Sequence, residues 1–335
     1  MVRNAVVGAA LALALLVGGC ATGTSIPSAT DGDPSGSAAS KASVSIGAVT
    51  FVSHPSLDAV YEGIKEGLAE AGYVEGENLT LDLQNPQTDQ ATLSNIVNTF
   101  AASDKDLFVA IATPPAQALA QVIQDRPIVF ASVTDPVAAG LVESMDNPGG
   151  NVTGTSDQLP TDEQLAVIQR IMPDVKTVGI VYSSAEVNAQ VQAEAAVEAG
   201  AELGIEVKTA TITNSSEVQQ AAESLDVDAY FVLVDNTVVS AMESMIQVAE
   251  QRQRLLVTSD PDSVQRGAAA ALATDYKAQG LQTAGIIARI IEGADPASTP
   301  VELQESLQLV VNPAAAERMG LTIPDDVLAE ADSTY

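Results

Sequence analysis

The side chains that could do chemistry in this chain are few, and most of them are acidic. The 335 residues include one cysteine, Cys20, and one histidine, His54, with 44 acidic and 14 basic residues and a formal net charge of −30. A disulfide framework, or a metal site built on clustered cysteine and histidine, lacks ligands in such a sequence. Nucleic acid is an unsuitable partner because phosphate neutralisation needs lysine and arginine. We therefore expect neither a metal nor a cofactor.

Polar residues recur where predicted strands end and helices begin. Ligands of open parallel sheets bind beyond the carboxyl ends of the strands, so these positions are candidate ligand contacts. The same residue types are the favoured N-caps of helices, so each could serve a helix, a ligand or both. The candidates, with two aromatic neighbours, are Phe51, His54, Thr113, Gln117, Thr134, Asp135, Ser156, Asp157, Ser184, Glu186, Asp235, Asn236, Thr237, Asp260, Asp275 and Tyr276.

The polar residues at the predicted strand ends could bind a ligand that carries both a positive and a negative charge. The free N–H groups of a helix N-terminus attract an anion, so a carboxylate could lie against Thr113 and the amides that follow it. An ammonium group needs a carboxylate, for which Asp135, Asp157 and Asp235 are candidates. Phe51 and Tyr276 could form an aromatic wall. Both poles in one cleft would fit an α-amino acid.

An enzyme is the less favoured hypothesis. The chain has no G-x-S-x-G elbow, no P-loop and no G-x-G-x-x-G fingerprint. Asp135 or Asp260 could hold Mg²⁺ in a phosphotransferase-like site. Such a site normally brings a lysine or arginine to the phosphate, and basic residues near the predicted strand ends are sparse.

The first 43 residues predict export and anchoring. Residues 1–19 have a positive start at Arg3 and an apolar core too short to span a bilayer, as in a signal peptide. The sequence Val17-Gly18-Gly19-Cys20 resembles a bacterial lipobox, which predicts a diacylglyceryl group on Cys20. Residues 20–43 are rich in Ala, Gly, Pro, Ser and Thr and predict a flexible tether. We expect a secreted protein that is lipid-anchored to the outer face of the cell membrane.

The remaining chain alternates short apolar runs with amphipathic stretches, which is typical of βαβ units on parallel sheets. Ile46-Gly47-Ala48-Val49 corresponds to Val178-Gly179-Ile180-Val181, which indicates two similar α/β halves. A continuous (β/α)8 barrel is the structural alternative. The predicted strands lie at 45–52, 79–84, 107–112, 127–133, 151–155, 177–182, 206–213, 229–234, 255–258, 268–274 and 304–311. The predicted helices lie at 55–71, 89–102, 114–124, shortly after Pro136, and at 161–172, 187–203, 216–225, 237–252, 276–292 and 312–321.

Six stretches resemble the substrate-binding lipoproteins of ABC transporters related to tryptophan and tyrosine uptake. They are FVSHPSLDAVYEGIKEGLAEAGY (51–73), IATPPAQA (111–118), VTDPVAAGLVESMDNPGGNVTGTSD (133–157), VYSSAEVNA (181–189), VDNTVVSA (234–241) and TSDPDSVQRGAAAALATDY (258–276). The resemblance implies a type 1 periplasmic-binding fold, in which two Rossmann-like lobes with parallel sheets close on a small ligand about a hinge of several crossovers. It also implies that the sixteen candidate residues line the cleft.

We assign residues 44–157 and 276–300 to the N-terminal lobe, and residues 158–275 and 301–335 to the C-terminal lobe. The expected function is delivery of a small ligand, best an aromatic amino acid, to an ABC permease and its ATPase by a monomeric, membrane-anchored receptor. A ligand-sensing lipoprotein coupled to a membrane signalling protein is the alternative.

Overall fold

The structure is a computed structural model that describes residues 41–304 and 306–335. The predicted signal peptide, the predicted lipidation site Cys20 and the predicted tether up to residue 40 lie outside the described residues. Within the described part, no helix is both long enough and apolar enough to cross a membrane.

The strands form two separate sheets, which confirms two α/β lobes and excludes a single barrel. The first sheet has the order β11-β5-β4-β3-β1-β2 and the second the order β13-β12-β10-β9-β8-β6-β7. Their bounds are β1 (Val44–Thr50), β2 (Leu79–Gln84), β3 (Leu107–Ile111), β4 (Ile128–Ala131), β5 (Val152–Ser156), β6 (Thr177–Ser183), β7 (Glu206–Ile212), β8 (Ala229–Val232), β9 (Leu255–Thr258), β10 (Ala270–Ala273), β11 (Glu302–Leu303), β12 (Gln308–Val311) and β13 (Ser333–Thr334).

The two sheets repeat one topology. Strands β1 to β5 and strands β6 to β10 both follow the spatial order 2-1-3-4-5, and every pair within these two sets is parallel. The expectation of parallel sheets fails at one pair, since β12 runs antiparallel to β10. In this order the chain changes direction between the first and third strands, where a crevice opens at the carboxyl edge of each sheet.

Helices cover both faces of the sheets. Their bounds are α1 (Pro55–Glu70), α2 (Gln90–Ala101), α3 (Thr113–Val122), α4 (Thr161–Ile171), α5 (Val187–Leu203), α6 (Val218–Ser224), α7 (Asn236–Ser240), α8 (Met242–Arg252), α9 (Pro261–Arg266), α10 (Tyr276–Ile291), α11 (Pro313–Arg318) and α12 (Asp325–Glu330), with 3₁₀ turns at Ser215–Glu217 and Pro296–Ser298. The sequence did not predict α9 and α12, which are short.

Two predicted helices differ from the structure for local reasons. The helix expected after Pro136 is only a turn, because Gly140 adopts a left-handed φ of 70° and ends it. The helix expected over 237–252 is broken into α7 and α8 at Ala241, whose ψ of 29° departs from helical geometry.

Two predicted boundaries also need correction. Strand β11 pairs with β5, so Glu302 and Leu303 belong to the first sheet and not to the C-terminal lobe. Lys41, which the sequence assigned to the tether, already contacts the first lobe. The Lys41 ammonium donates a 2.8 Å hydrogen bond to Glu292 and lies 4.3 Å from the centre of the Tyr73 ring.

Helices α1 and α10 pack with their backbones in contact. A Cβ atom placed on Gly63 would lie 2.3 Å from the carbonyl oxygen of Lys277, and one on Gly280 would lie 2.2 Å from the carbonyl oxygen of Val60. Farther along the two helices, Gly67 meets Ala284 in the same register. The helices therefore run in the same direction, and their N-termini lie at the same edge of the first sheet.

We predict that Gly280→Ala lowers the free energy of unfolding by about 1–3 kcal/mol, since overpacking must separate the two helices. The matched control is Gly285→Ala in the same helix, where no atom lies within 4 Å of the new Cβ. Alanine has a higher helix propensity than glycine, so this control should raise the free energy of unfolding by about 0.8–1.0 kcal/mol. Urea unfolding of both variants measures the difference. Equal stabilisation by both substitutions would contradict the tight contact.

Candidate functional site

A cavity lies between the two lobes at the carboxyl ends of the strands. The free space within its closed walls is about 10 Å³, roughly the room that one water molecule needs. Its walls are made by residues that follow strands of both sheets, namely His54, Ser56, Leu57, Ser132, Asp157 and Tyr276 from the first lobe, and Asn188, Val234, Asp235, Asn236, Val239 and Asp260 from the second.

The start of α1 offers unoccupied hydrogen-bond donors to this cavity. His54 is the N-cap residue, but its side chain does not cap the helix, and Pro55 contributes no N–H. The backbone N–H groups of Ser56 and Leu57 therefore have no partner within the described chain, as expected for the first turn of an uncapped helix. Both residues line the cavity. An anion placed here meets two N–H groups and the positive end of the helix dipole.

His54 adds a polar group to the same place. Its side chain is buried, and neither Nδ1 nor Nε2 makes a hydrogen bond of ordinary geometry. Burial lowers the pKa of His54 to about 4, and the nearby Asn236 side chain opposes that change only in part. The imidazole is therefore neutral at pH 7 and presents one N–H donor and one acceptor.

Asp157 faces this donor group from the end of β5. Its carboxylate accepts a 2.9 Å hydrogen bond from the Thr134 hydroxyl and a weak 3.4 Å bond from the Tyr276 hydroxyl. Burial raises the pKa of Asp157 to about 6, and these two hydroxyls offset part of that rise. The carboxyl group is mostly ionised at pH 7, and no cation pairs with it in the described structure.

Asp260 lies in the second lobe, and one of its two carboxylate oxygens has no hydrogen-bond partner. Its Oδ1 accepts from the backbone N–H of Ser263, which caps α9, and from the hydroxyl of Ser56 at 3.2 Å. Its Oδ2 is buried and has no partner. Burial raises the pKa of Asp260, because the charged form loses its hydration. A cationic group in the cavity would satisfy this oxygen.

The second lobe supports its wall through a buried carboxylate pair. Glu186 accepts hydrogen bonds from the backbone and side chain of both Asn236 and Thr237, at 2.6–3.2 Å. Asp235 caps α7 through Val238 at 2.9 Å. Its other oxygen accepts from the N–H of Ser183 at 2.6 Å. Burial first, and the charge of Glu186 second, raise the pKa of Asp235 well above its usual range.

Because of these hydrogen bonds, several side chains that the sequence predicted as ligand contacts stabilise the protein's own structure. Asp235 lines the cavity, but both of its oxygens are engaged, so it is a poor candidate for the ammonium. Thr237 and Glu186 hold the start of α7. Asn236 donates its amide to Glu186 and still lines the cavity.

Other predicted contacts lie away from the cavity wall. Asp135 caps the turn after Pro136, and Gln117 donates to the carbonyl of Ala139. The hydroxyl of Thr113 is buried without a partner, but α3 is a weak anion site because Pro114 and Pro115 remove two N–H groups. The remaining residues off the wall are Phe51 in the core, Thr134 behind Asp157, Ser156 bonded to Thr134, Ser184 on the surface and Asp275 capping α10.

The structure also brings in wall residues that the sequence did not single out. Ser56, Leu57 and Asn188 lie in the first turns of helices that follow strands, so their position alone was the available signal. The amide nitrogen of Asn188 donates to the carbonyl of Val234 at 2.8 Å, which leaves its Oδ1 buried and unpartnered. Val234 and Val239 add apolar surface.

Ser132 holds a strained position in the same wall. Its φ is 55°, in the left-handed region that serine seldom adopts. Its hydroxyl donates to Oε1 of Gln279 at 2.5 Å, and the amide of Gln279 donates to the carbonyl of Ser156 at 2.9 Å. Strain of this kind persists where the surroundings fix it, often beside a binding site. Here the network connects α10 to the ends of β4 and β5.

Within residues 41–304 and 306–335, no group of three or more His, Cys, Asp or Glu side chains could hold a metal ion. Asp135 and Asp260, the candidates for a Mg²⁺ site, lie in different lobes and bind their own helix or turn.

The chain is similar to proteins that bind aromatic amino acids. It is 36% identical over 275 residues to the tyrosine-binding protein of Clostridioides difficile, which covers 82% of this chain and 80% of that protein. A structure of the ABC domain from Streptococcus pneumoniae in complex with L-Trp is 36% identical and has a TM-score of 0.85, covering 88% of this chain and 100% of the other.

A third relative is known in a ligand-free, open structure. The ligand-free, open structure of a substrate-binding protein with adhesive properties from Clostridium difficile is 35% identical, covering 87% of this chain and 99% of the other, and has a TM-score of 0.67. A family model described as ABC transporter substrate binding protein matches residues 45–335. The chain belongs to this family of ABC transporter substrate-binding proteins.

Proposed function

We propose that this substrate-binding protein takes up a zwitterionic aromatic α-amino acid, such as L-tryptophan or L-tyrosine, for its ABC transporter. The observation that carries the proposal is the pair of opposite poles in one cavity. The uncapped start of α1 with His54 suits a carboxylate. The unpartnered Oδ2 of Asp260 and the carboxylate of Asp157, which has no cationic partner in the described structure, suit an ammonium. Among the residues that the structure describes, no lysine or arginine lines the cavity, so we assign the role of a cationic side chain to backbone N–H groups.

The remaining wall suits a large apolar side chain. Leu57, Val234 and Val239 contribute aliphatic surface, and the ring of Tyr276 contributes an aromatic face. The closed cavity of about 10 Å³ is far below the roughly 300–1,000 Å³ of typical small-molecule sites, so an aromatic side chain can enter only when the lobes part. The similarity to relatives named for tyrosine and crystallised with L-Trp supports the same ligand class.

Entry of this ligand requires the lobes to part. The polar wall residues are almost inaccessible to solvent, with His54 at 8%, Asp157 at 2% and Asp260 at 3% exposure. The fold superposes better on the L-Trp complex than on the open, ligand-free relative, although the two are equally similar in sequence. Both observations support a closed arrangement that must open for binding. The closed, loaded protein would then deliver its ligand to the permease, with no chemical conversion.

Calorimetry with matched analogues tests the ligand class. We expect L-tryptophan and L-tyrosine to bind. Tryptamine lacks the carboxylate and indole-3-propionate lacks the ammonium, so each should bind at least tenfold more weakly, since a charge-assisted hydrogen bond contributes about 1.5–3 kcal/mol. Equal affinity for L-tryptophan and both analogues would contradict recognition of a zwitterion. Absence of binding by every aromatic amino acid would contradict the ligand class.

We also propose that the protein works on the extracytoplasmic side, held to the membrane by a lipid on Cys20. The lipobox-like sequence Val17–Cys20 supports this proposal. Expression with a labelled fatty acid should label the wild type and leave Cys20→Ser unlabelled. Label retained in Cys20→Ser would contradict attachment at this residue.

A further inference from the structure

We propose that Ser56 and Asp260 form a contact between the lobes that couples ligand recognition to closure, with Asp260 as the residue that selects for the ammonium group. This inference rests on the proposed function and assigns roles to two residues of that site. The contact is the 3.2 Å hydrogen bond from the Ser56 hydroxyl to Oδ1 of Asp260. Ser56 belongs to α1 in the first lobe, and Asp260 follows β9 in the second.

Each residue of the pair has two functional groups, and only one of them is used within the protein. The Ser56 hydroxyl bonds across the cleft, while its backbone N–H is free and belongs to the proposed carboxylate site. Oδ1 of Asp260 holds Ser56 and the N–H of Ser263, while Oδ2 is buried and unpartnered. A zwitterion between them would bind the free N–H with its carboxylate and Oδ2 with its ammonium.

Closure without a bound cation is unfavourable because Oδ2 of Asp260 is then buried without a partner. Removing an ionised carboxylate from water is unfavourable unless it is paired and hydrogen-bonded. In the open form Asp260 would keep its hydration, and in the closed form only Oδ1 is satisfied. An ammonium on Oδ2 removes this penalty, so the ligand favours closure by its differential affinity for the closed form. A ligand without the ammonium leaves the penalty in place.

The test compares the affinities of variants for L-tryptophan and for indole-3-propionate. Asp260→Asn keeps an oxygen that can cap α9 and removes the charge. We expect it to weaken L-tryptophan binding by about tenfold to a hundredfold and to leave indole-3-propionate unchanged or slightly tighter. If the role of Asp260 were purely structural, Asp260→Asn would weaken the binding of both ligands by the same factor.

The matched control is Asp275→Asn, because Asp275 also caps a helix but does not line the cavity. It should leave the affinity ratio at its wild-type value.

Ser56→Ala removes the other half of the contact and keeps the backbone N–H. We expect L-tryptophan to bind about two- to tenfold more weakly. Small-angle scattering should show a smaller ligand-induced decrease in the radius of gyration than in the wild type. In the double variant that combines Ser56→Ala with Asp260→Asn, the fold loss of L-tryptophan affinity should be smaller than the product of the two single fold losses. Such non-additivity is expected for residues in direct contact. Multiplicative losses, or an unchanged scattering response in Ser56→Ala, would overturn the coupling.

The outcomes separate this inference from the proposed function. If the wild type binds no aromatic amino acid, the proposed function is wrong and the inference falls with it. If the wild type binds L-tryptophan and Asp260→Asn keeps the wild-type ratio of the two affinities, only the inference is wrong. Thermal unfolding of each variant verifies that a lost response does not come from a misfolded protein.

Discussion

The backbone contact between α1 and α10 determines where the ligand-facing atoms of the first lobe lie. Because Gly63 and Gly280 have no side chains, the two helices approach so closely that backbone carbonyl oxygens occupy the space of a Cβ atom. Because the helices run in the same direction, their first residues reach the same edge of the sheet. His54 and Ser56 at one N-terminus and Tyr276 at the other thus share one wall. The contact leaves no room for a larger residue, so close packing fixes how the two N-termini lie relative to each other.

The electrostatics of the cleft depend on which groups the protein itself has satisfied. The oxygens of Asp235 and Glu186 are all engaged, by the start of α7 and by the N–H of Ser183, although both residues are as deeply buried as any ligand contact. Asp157 and Asp260 are used in part, and α1 is uncapped. Moving a closure equilibrium from 1:99 to 99:1 takes about 5.5 kcal/mol of differential binding. Two to four charge-assisted hydrogen bonds of about 1.5–3 kcal/mol each can supply it.

The sequence predicted the fold well because periodicity and strand-end residues are local signals. It placed eleven of the strands, all but the two-residue β11 and β13, and the repeat of two halves. It could not predict which polar residues face the ligand, because capping and ligand binding use the same residue types. Asp235 and Asp260 look alike in sequence, each directly before a short helix. Only tertiary contacts separate them, since Ser183 takes the second oxygen of Asp235 and nothing takes that of Asp260.

The central claim is that the uncapped start of α1 holds the carboxylate of an amino acid whose ammonium lies between Asp157 and Asp260. A crystal structure of the protein grown with L-tryptophan tests it directly. The account predicts the ligand carboxylate within hydrogen-bonding distance of the Ser56 and Leu57 nitrogens, with the ammonium against Oδ2 of Asp260. A carboxylate bound at the start of α3 beside Thr113, or an ammonium paired with Asp235, would contradict it.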